Sequence, residues 1–145
     1  MEHMLYEHMH QSFDELFEVS GNNPTSYSPL VLAYIGDGIY ELMIRTYIVK
    51  LGNAPVNAMH KKAKSFVNAG AQKELFYKIE PVLTEEEMNI FKRGRNAKSN
   101  TKAKNASMSD YKTATGLEAL FGYLYLQKDI DRIMTLIAKG VIGDE

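Results

Sequence analysis

The sequence predicts an all-α fold of about five to seven helices. Three observations predict it. Apolar residues recur at intervals of three and four over long stretches. No alternating strand pattern persists anywhere. Proline, glycine and capping residues divide the chain at helical lengths. The 145 residues suffice for one domain with one sizeable core, and no internal repeat is present. Residues 28–145 are expected to form that domain, with residues 1–27 as an N-terminal extension.

Leu5, Met9, Phe13, Leu16 and Phe17 have the spacing of a short amphipathic helix that ends before Gly21. His3, His8 and His10 do not share one face of it, so no metal site is expected there. Residues 22–29 are turn-rich, and Pro29 suits the start of a second helix running to about Leu51. That helix is apolar on nearly every side and is expected to be central or shared with a partner chain. Gly36 and Gly38 interrupt it, at ~1 kcal/mol each. They imply close backbone approach, by a packed neighbour or by a phosphate. Glu41 and Arg45 form an i, i+4 pair in the favourable order.

Pro55 can open a third helix with Val56, Met59, Ala63, Phe66 and Val67 on its apolar face. A bend is expected at 69–72, before Leu75, Phe76 and Ile79. Thr84 and Glu87 fit a capping box, and Glu85 and Glu86 load the same first turn with negative charge. Lys92 and Arg93 predict that this helix ends at Gly94. Residues 94–109 are rich in Ser, Asn and Lys without apolar periodicity, which predicts a long functional or disordered loop. Ser109 or Asp110 is expected to cap a helix reaching about Gln127. Asp129 caps a last helix closing at Gly140.

Composition narrows the function. Hydrophobic residues at 45% and charged residues at 24% are ordinary for a globular protein. The absence of cysteine excludes a disulfide framework and a Cys-based zinc site, and it suits the cytoplasm. No apolar run approaches the roughly 20 residues of a membrane span, and the acidic N-terminus lacks signal-peptide features. The net charge of −1 conceals an asymmetry. Residues 1–44 hold seven acids and no Lys or Arg, whereas residues 45–112 hold 14 Lys and Arg against six acids. That local excess of eight positive charges suggests a polyanionic partner, although a solvated Lys-rich face gives the same count.

Two carboxylates stand out. Asp37 and Glu118 are each embedded in a long apolar stretch, with no Lys or Arg within four positions. An ionised carboxylate resists burial unless a cation, a metal or several donors compensate it. Two such acids suggest one shared cation. A helix-embedded structural Asp and a surface Glu are the alternatives.

The string L32-A-Y-I-G-D-G-I-Y-E41 resembles the signature helix of the ribonuclease III family, and T115-G-L-E-A-L-F-G-Y-L-Y-L126 resembles its second metal-binding helix. The resemblance spans about residues 28–140. The family's pattern places further acids at the positions of Leu30, Ala33 and Thr115, so only Asp37 and Glu118 match. These losses, with R93-G-R-N-A-K98 and no appended double-stranded-RNA-binding domain, are similar to the short Mini-ribonuclease III subgroup.

The resemblance implies a ribonuclease III-type helical endonuclease domain that acts as a homodimer in the bacterial cytoplasm. The implied activity is endonucleolytic hydrolysis of double-stranded RNA, giving 5′-phosphate products, in maturation of large-subunit (23S) ribosomal RNA. Asp37 and Glu118 would be the catalytic residues and the ligands of Mg²⁺, with Mn²⁺ as a substitute. Mg²⁺ is usually held by one or two carboxylates plus waters and substrate phosphate, so two acids suffice for one ion. Double-stranded RNA presents a regular phosphate array. His60, Lys61, Lys64, Arg93, Arg95, Asn96 and Lys98 are the candidate RNA-binding residues, with Lys62, Lys102, Lys104, Asn68, Gln72 and Ser99 as further possible contacts. The alternatives are a catalytically inactive RNA-binding or ribosome-associated relative and a helical DNA-binding regulator. The latter would need a helix-turn-helix, which the sequence does not place.

Overall fold

The computed structural model describes residues 2–98 and 107–143, with side chains from residue 7 onward. Seven α-helices make up the described fold: α1 (Glu2–Phe17), α2 (Pro29–Lys50), α3 (Val56–Val67), α4 (Ala69–Ile79), α5 (Glu85–Arg95), α6 (Met108–Leu126) and α7 (Ile130–Ile142). Short 3-10 turns occupy Pro24–Ser26 and Glu80–Val82. No strand occurs among the described residues, and no helix there is long and apolar enough to cross a membrane.

The central helix is α6. Helices α2, α4, α5 and α7 all pack against it, and every residue from Thr113 to Leu124 except Glu118 is buried. Helix α2 lies antiparallel across it, burying Leu32, Ala33, Gly36, Ile39, Tyr40, Ile44 and Ile48. The opposite side of α2 remains exposed, with Val31, Tyr34, Leu42 and Val49 at 48%, 83%, 55% and 60% accessibility. A helix apolar all round therefore buries one side within the domain and presents the other.

Local signals set most boundaries. Ser28 caps α2 by accepting from the Val31 amide, and Pro29 occupies the first turn, where its missing N–H costs nothing. Thr84 and Glu87 complete the expected capping box. Asp129 caps α7.

Four expectations are corrected. The break expected at 69–72 falls at Asn68, whose extended backbone ends α3 and whose side chain caps α4 through the Ala71 amide. Gly94 does not end α5. It is buried inside the helix, and a Cβ there would sit 2.7 Å from the Ala119 Cβ. Gly140 is likewise interior to α7, packed on Leu75, and Gly143 ends the helix instead. Helix α6 is capped by Ser107, which accepts from the Asp110 amide, rather than by Ser109 or Asp110. Gly94 and Gly140 were fit for a boundary and packing uses them instead, while Ser109 and Asp110 bond to Lys73.

Candidate active site

Asp37 lies near the middle of α2 and Glu118 near the middle of α6. Their helices meet main chain to main chain, since a Cβ on Gly36 would fall 1.7 Å from the Glu118 carbonyl oxygen and one on Gly122 would fall 1.9 Å from that of Leu32. Only glycine permits this approach. It brings the Asp37 and Glu118 carboxyl groups within hydrogen-bonding reach of each other.

The pair opens into a cleft lined by Leu30, Ala33, Tyr34, Asp37, Tyr111, Thr115 and Glu118. Leu30, Ala33 and Thr115 stand where the resemblance placed additional acids. The fold gathers all five positions into one concavity, and three of them carry no carboxylate. Thr115 donates its hydroxyl to the Tyr111 carbonyl at 3.0 Å, so this hydroxyl serves the helix.

The two acids sit in unequal surroundings. Asp37 is exposed, whereas Glu118 is largely enclosed. Burial, and then the neighbouring Asp37 charge, push the Glu118 carboxyl up to about 8, against a hydrogen bond from Gln72 that lowers it. Tyr40, beside them, is kept neutral by burial and by the Glu118 charge, and it donates to the Phe66 carbonyl at 2.8 Å. A carboxylate pair without a cation is thus electrostatically unfavourable here. Hard oxygen donors in a cleft open to water and phosphate fit a Mg²⁺ or Mn²⁺ ion. Among the described residues no group of three or more His, Asp or Glu could hold a metal, and Asp37 and Glu118 are the two carboxylates that line this cleft.

The basic residues fall into two groups. Lys61, Lys62 and Lys64 are exposed on α3. His60 lines a groove with Arg45, Ile48, Val49, Val56, Met59 and Ala63, against the C-terminal half of α2 and away from the carboxylate cleft. Arg93, Asn96 and Lys98 are exposed around the end of α5. The Arg95 guanidinium rests 5.7 Å from the Phe91 ring centroid, and its Nε donates to Asn96 at 3.3 Å. Gly94, between the two arginines, would meet the Thr115 carbonyl within 3.2 Å of a Cβ, so this basic end adjoins the cleft wall. Ser99, Lys102 and Lys104 lie outside the described residues. Glu41 and Arg45 form their ion pair at 2.7 Å on the exposed surface of α2.

Two of the further expected contacts already have partners within the fold. Asn68 spends its side chain on the α3–α4 junction, accepting from the Ala71 amide and donating to the Lys64 carbonyl. Gln72 is 3% exposed and contacts Glu118 instead of solvent. The available signal was its register, because positions 72, 75, 76 and 79 form the core stripe of α4.

An all-helical domain with two facing carboxylates in an open cleft, flanked by cations, has the features of a phosphodiester-cleaving nuclease. Comparison with known proteins agrees. The family model for the ribonuclease III domain matches residues 30–129. The Mini-ribonuclease 3 of Clostridium tetani is 55% identical over 107 residues, covering 73% of this chain and 71% of that one. That of Thermoanaerobacter sp. is 49% identical over 116 residues, 80% and 82% of the two chains. A crystal structure of a Fusobacterium nucleatum protein superposes with a TM-score of 0.75 at 36% identity, covering 85% of this chain and 98% of that one. The chain belongs to the ribonuclease III family, within its Mini-ribonuclease 3 group, and is an endoribonuclease.

Proposed function

We propose that this endoribonuclease cleaves double-stranded RNA in a Mg²⁺-dependent reaction, with Mn²⁺ as a substitute, and that its substrate is precursor 23S ribosomal RNA in the cytoplasm. The observation that carries the reading is the convergence of Asp37 and Glu118 across the Gly36 contact. Asp37 and Glu118 hold the ion. When bound, the ion supplies activation of water and charge stabilisation at the departing oxygen. The exposed cations of α3 and of the α5 end neutralise phosphates of the duplex, and Asn96 adds a hydrogen bond to its backbone.

The active unit is a homodimer. Val31, Tyr34, Leu42 and Val49 form one exposed stripe on α2, interrupted by the exposed Gly38, and a self-complementary stripe suits a two-fold interface. Such a pairing sets two clefts along one duplex, one for each strand.

The test is cleavage of a plain RNA duplex with and without Mg²⁺, by the wild type and by Asp37→Ala. Mg²⁺-dependent cutting by the wild type and none by the variant is expected. Equal cutting by both would remove Asp37 from the chemistry, and cutting in EDTA would remove the metal. Precursor 23S RNA incubated with the enzyme should yield discrete duplex cuts.

A further inference from the structure

Gln72 is buried, yet it carries an amide next to the carboxylate pair. Its Nε2 donates to the Val67 carbonyl at 2.9 Å and to Glu118 Oε2 at 3.4 Å. Reversing the amide would set oxygen against both of these acceptors, so the orientation is fixed by its partners. Its Oε1 is buried and finds no protein donor. The residue shares the core stripe of α4 with Leu75, Phe76 and Ile79. Filling a core position with an amide that leaves one acceptor unmet is destabilising. A leucine would fill the same space without that defect. The amide is accounted for by what it does to Glu118.

We propose that Gln72 is a positioning residue for the cation site: its N–H engages Glu118 Oε2 and leaves Oε1 as the single oxygen Glu118 offers to the ion. The proposal rests on the reading that Asp37 and Glu118 hold Mg²⁺. Mg²⁺ demands near-octahedral geometry at short distances, whereas Ca²⁺ readily takes both oxygens of one carboxylate. Restricting Glu118 to one oxygen therefore selects the smaller ion. The Val67 carbonyl, at the last residue of α3, holds the amide in place from the other side. Partners of this kind around metal ligands are worth about 10- to 100-fold in metal affinity.

The experiment measures Mn²⁺ binding to the RNA-free protein by electron paramagnetic resonance, with Mg²⁺ and Ca²⁺ as competitors. Gln72→Leu should fold, bind Mn²⁺ about tenfold more weakly, and lose preference for Mg²⁺ over Ca²⁺. Wild-type affinity and an unchanged Mg²⁺/Ca²⁺ ratio in folded Gln72→Leu would overturn the proposal. If Gln72→Leu does not fold, Gln72→Met carries the same measurement. Failure of both to fold would show a purely structural role and overturn it as well. Asp37→Ala and Glu118→Ala are measured alongside. If they also bind Mn²⁺ normally, the metal reading itself fails. If they lose it while Gln72→Leu does not, the positioning role alone fails.

Discussion

Gly36 abuts the main chain of Glu118 so closely that a Cβ on residue 36 would overlap the Glu118 carbonyl oxygen, at 1.7 Å. The obstructing atom is backbone, so no rotamer change relieves the clash. Gly36→Ala must push α2 and α6 apart, which opens the core and separates Asp37 from Glu118. The expected cost is about 3 kcal/mol or more, the upper end for overpacking. Chemical denaturation would measure it, and duplex cleavage should fall even where the variant still folds. A variant with wild-type stability would contradict the helix crossing described here.

Glu118 predicts an unusual pH dependence in metal-free protein. Burial and the Asp37 charge raise its carboxyl to about 8, above the ordinary value of 4.5. The native state therefore binds more protons than the unfolded chain between these two values, and stability falls as pH rises through that interval. In EDTA, the melting temperature should decline from about pH 5 to about pH 8 more steeply than that of Glu118→Gln. Mg²⁺ should reduce the difference, because a cation favours the ionised form. Parallel profiles for the two proteins would sink the prediction.

Glu87 predicts the opposite sign. It is buried under the Arg132 guanidinium, which donates from Nε to Oε2 and from Nη2 to Oε1, both at 2.8 Å. Burial alone would raise this carboxyl, but the Arg132 bonds and charge and the bonds from Thr84 outweigh it and hold the group below the usual range. Its contribution is present above the unfolded-state value and is lost as pH falls through the depressed native one. Arg132 also donates to the Val82 carbonyl at 2.8 Å, so the pair ties α7 to the start of α5. Glu87→Gln should destabilise by about 1–3 kcal/mol near neutrality, because the partly exposed arginine is left without its counter-charge. The deficit should shrink in acid. A constant deficit across pH would assign the effect to packing instead.

These outcomes mark what was legible in the sequence. Periodicity and caps gave the helices because those signals are local. The pairing of Asp37 with Glu118 was legible because each acid was anomalous in its own apolar stretch. Gly36 and Gly38 looked alike in sequence, yet one abuts α6 and the other meets nothing within 4 Å. That distinction depends on helix rotation, which periodicity does not fix when a helix is apolar on nearly every side. Gly94 and Gly140 misled for a related reason, since a glycine near a helix end serves a cap or a close contact equally well. The burial of Gln72 is legible in its register with Leu75, Phe76 and Ile79, whereas its contact with Glu118, 46 positions away, is not.

The exposed side of α2 supports the last prediction. Tyr34 at 83% and Leu42 at 55% accessibility lie on the exposed stripe of α2, so neither contributes much to the core of the domain. Leu42→Asp should leave helical content and monomer stability nearly unchanged, as surface substitutions do. In a two-fold pairing the same change sets two like charges against a desolvated apolar patch, one from each subunit, which disfavours association strongly. Light scattering should report a dimer for the wild type and a monomer for Leu42→Asp. The monomer should retain Asp37, Glu118 and its cation site, so Mn²⁺ binding to each subunit persists if the cleft is built within one chain. Paired cuts across a duplex should give way to slow single-strand nicks. A Leu42→Asp protein that remained dimeric would move the interface to another face.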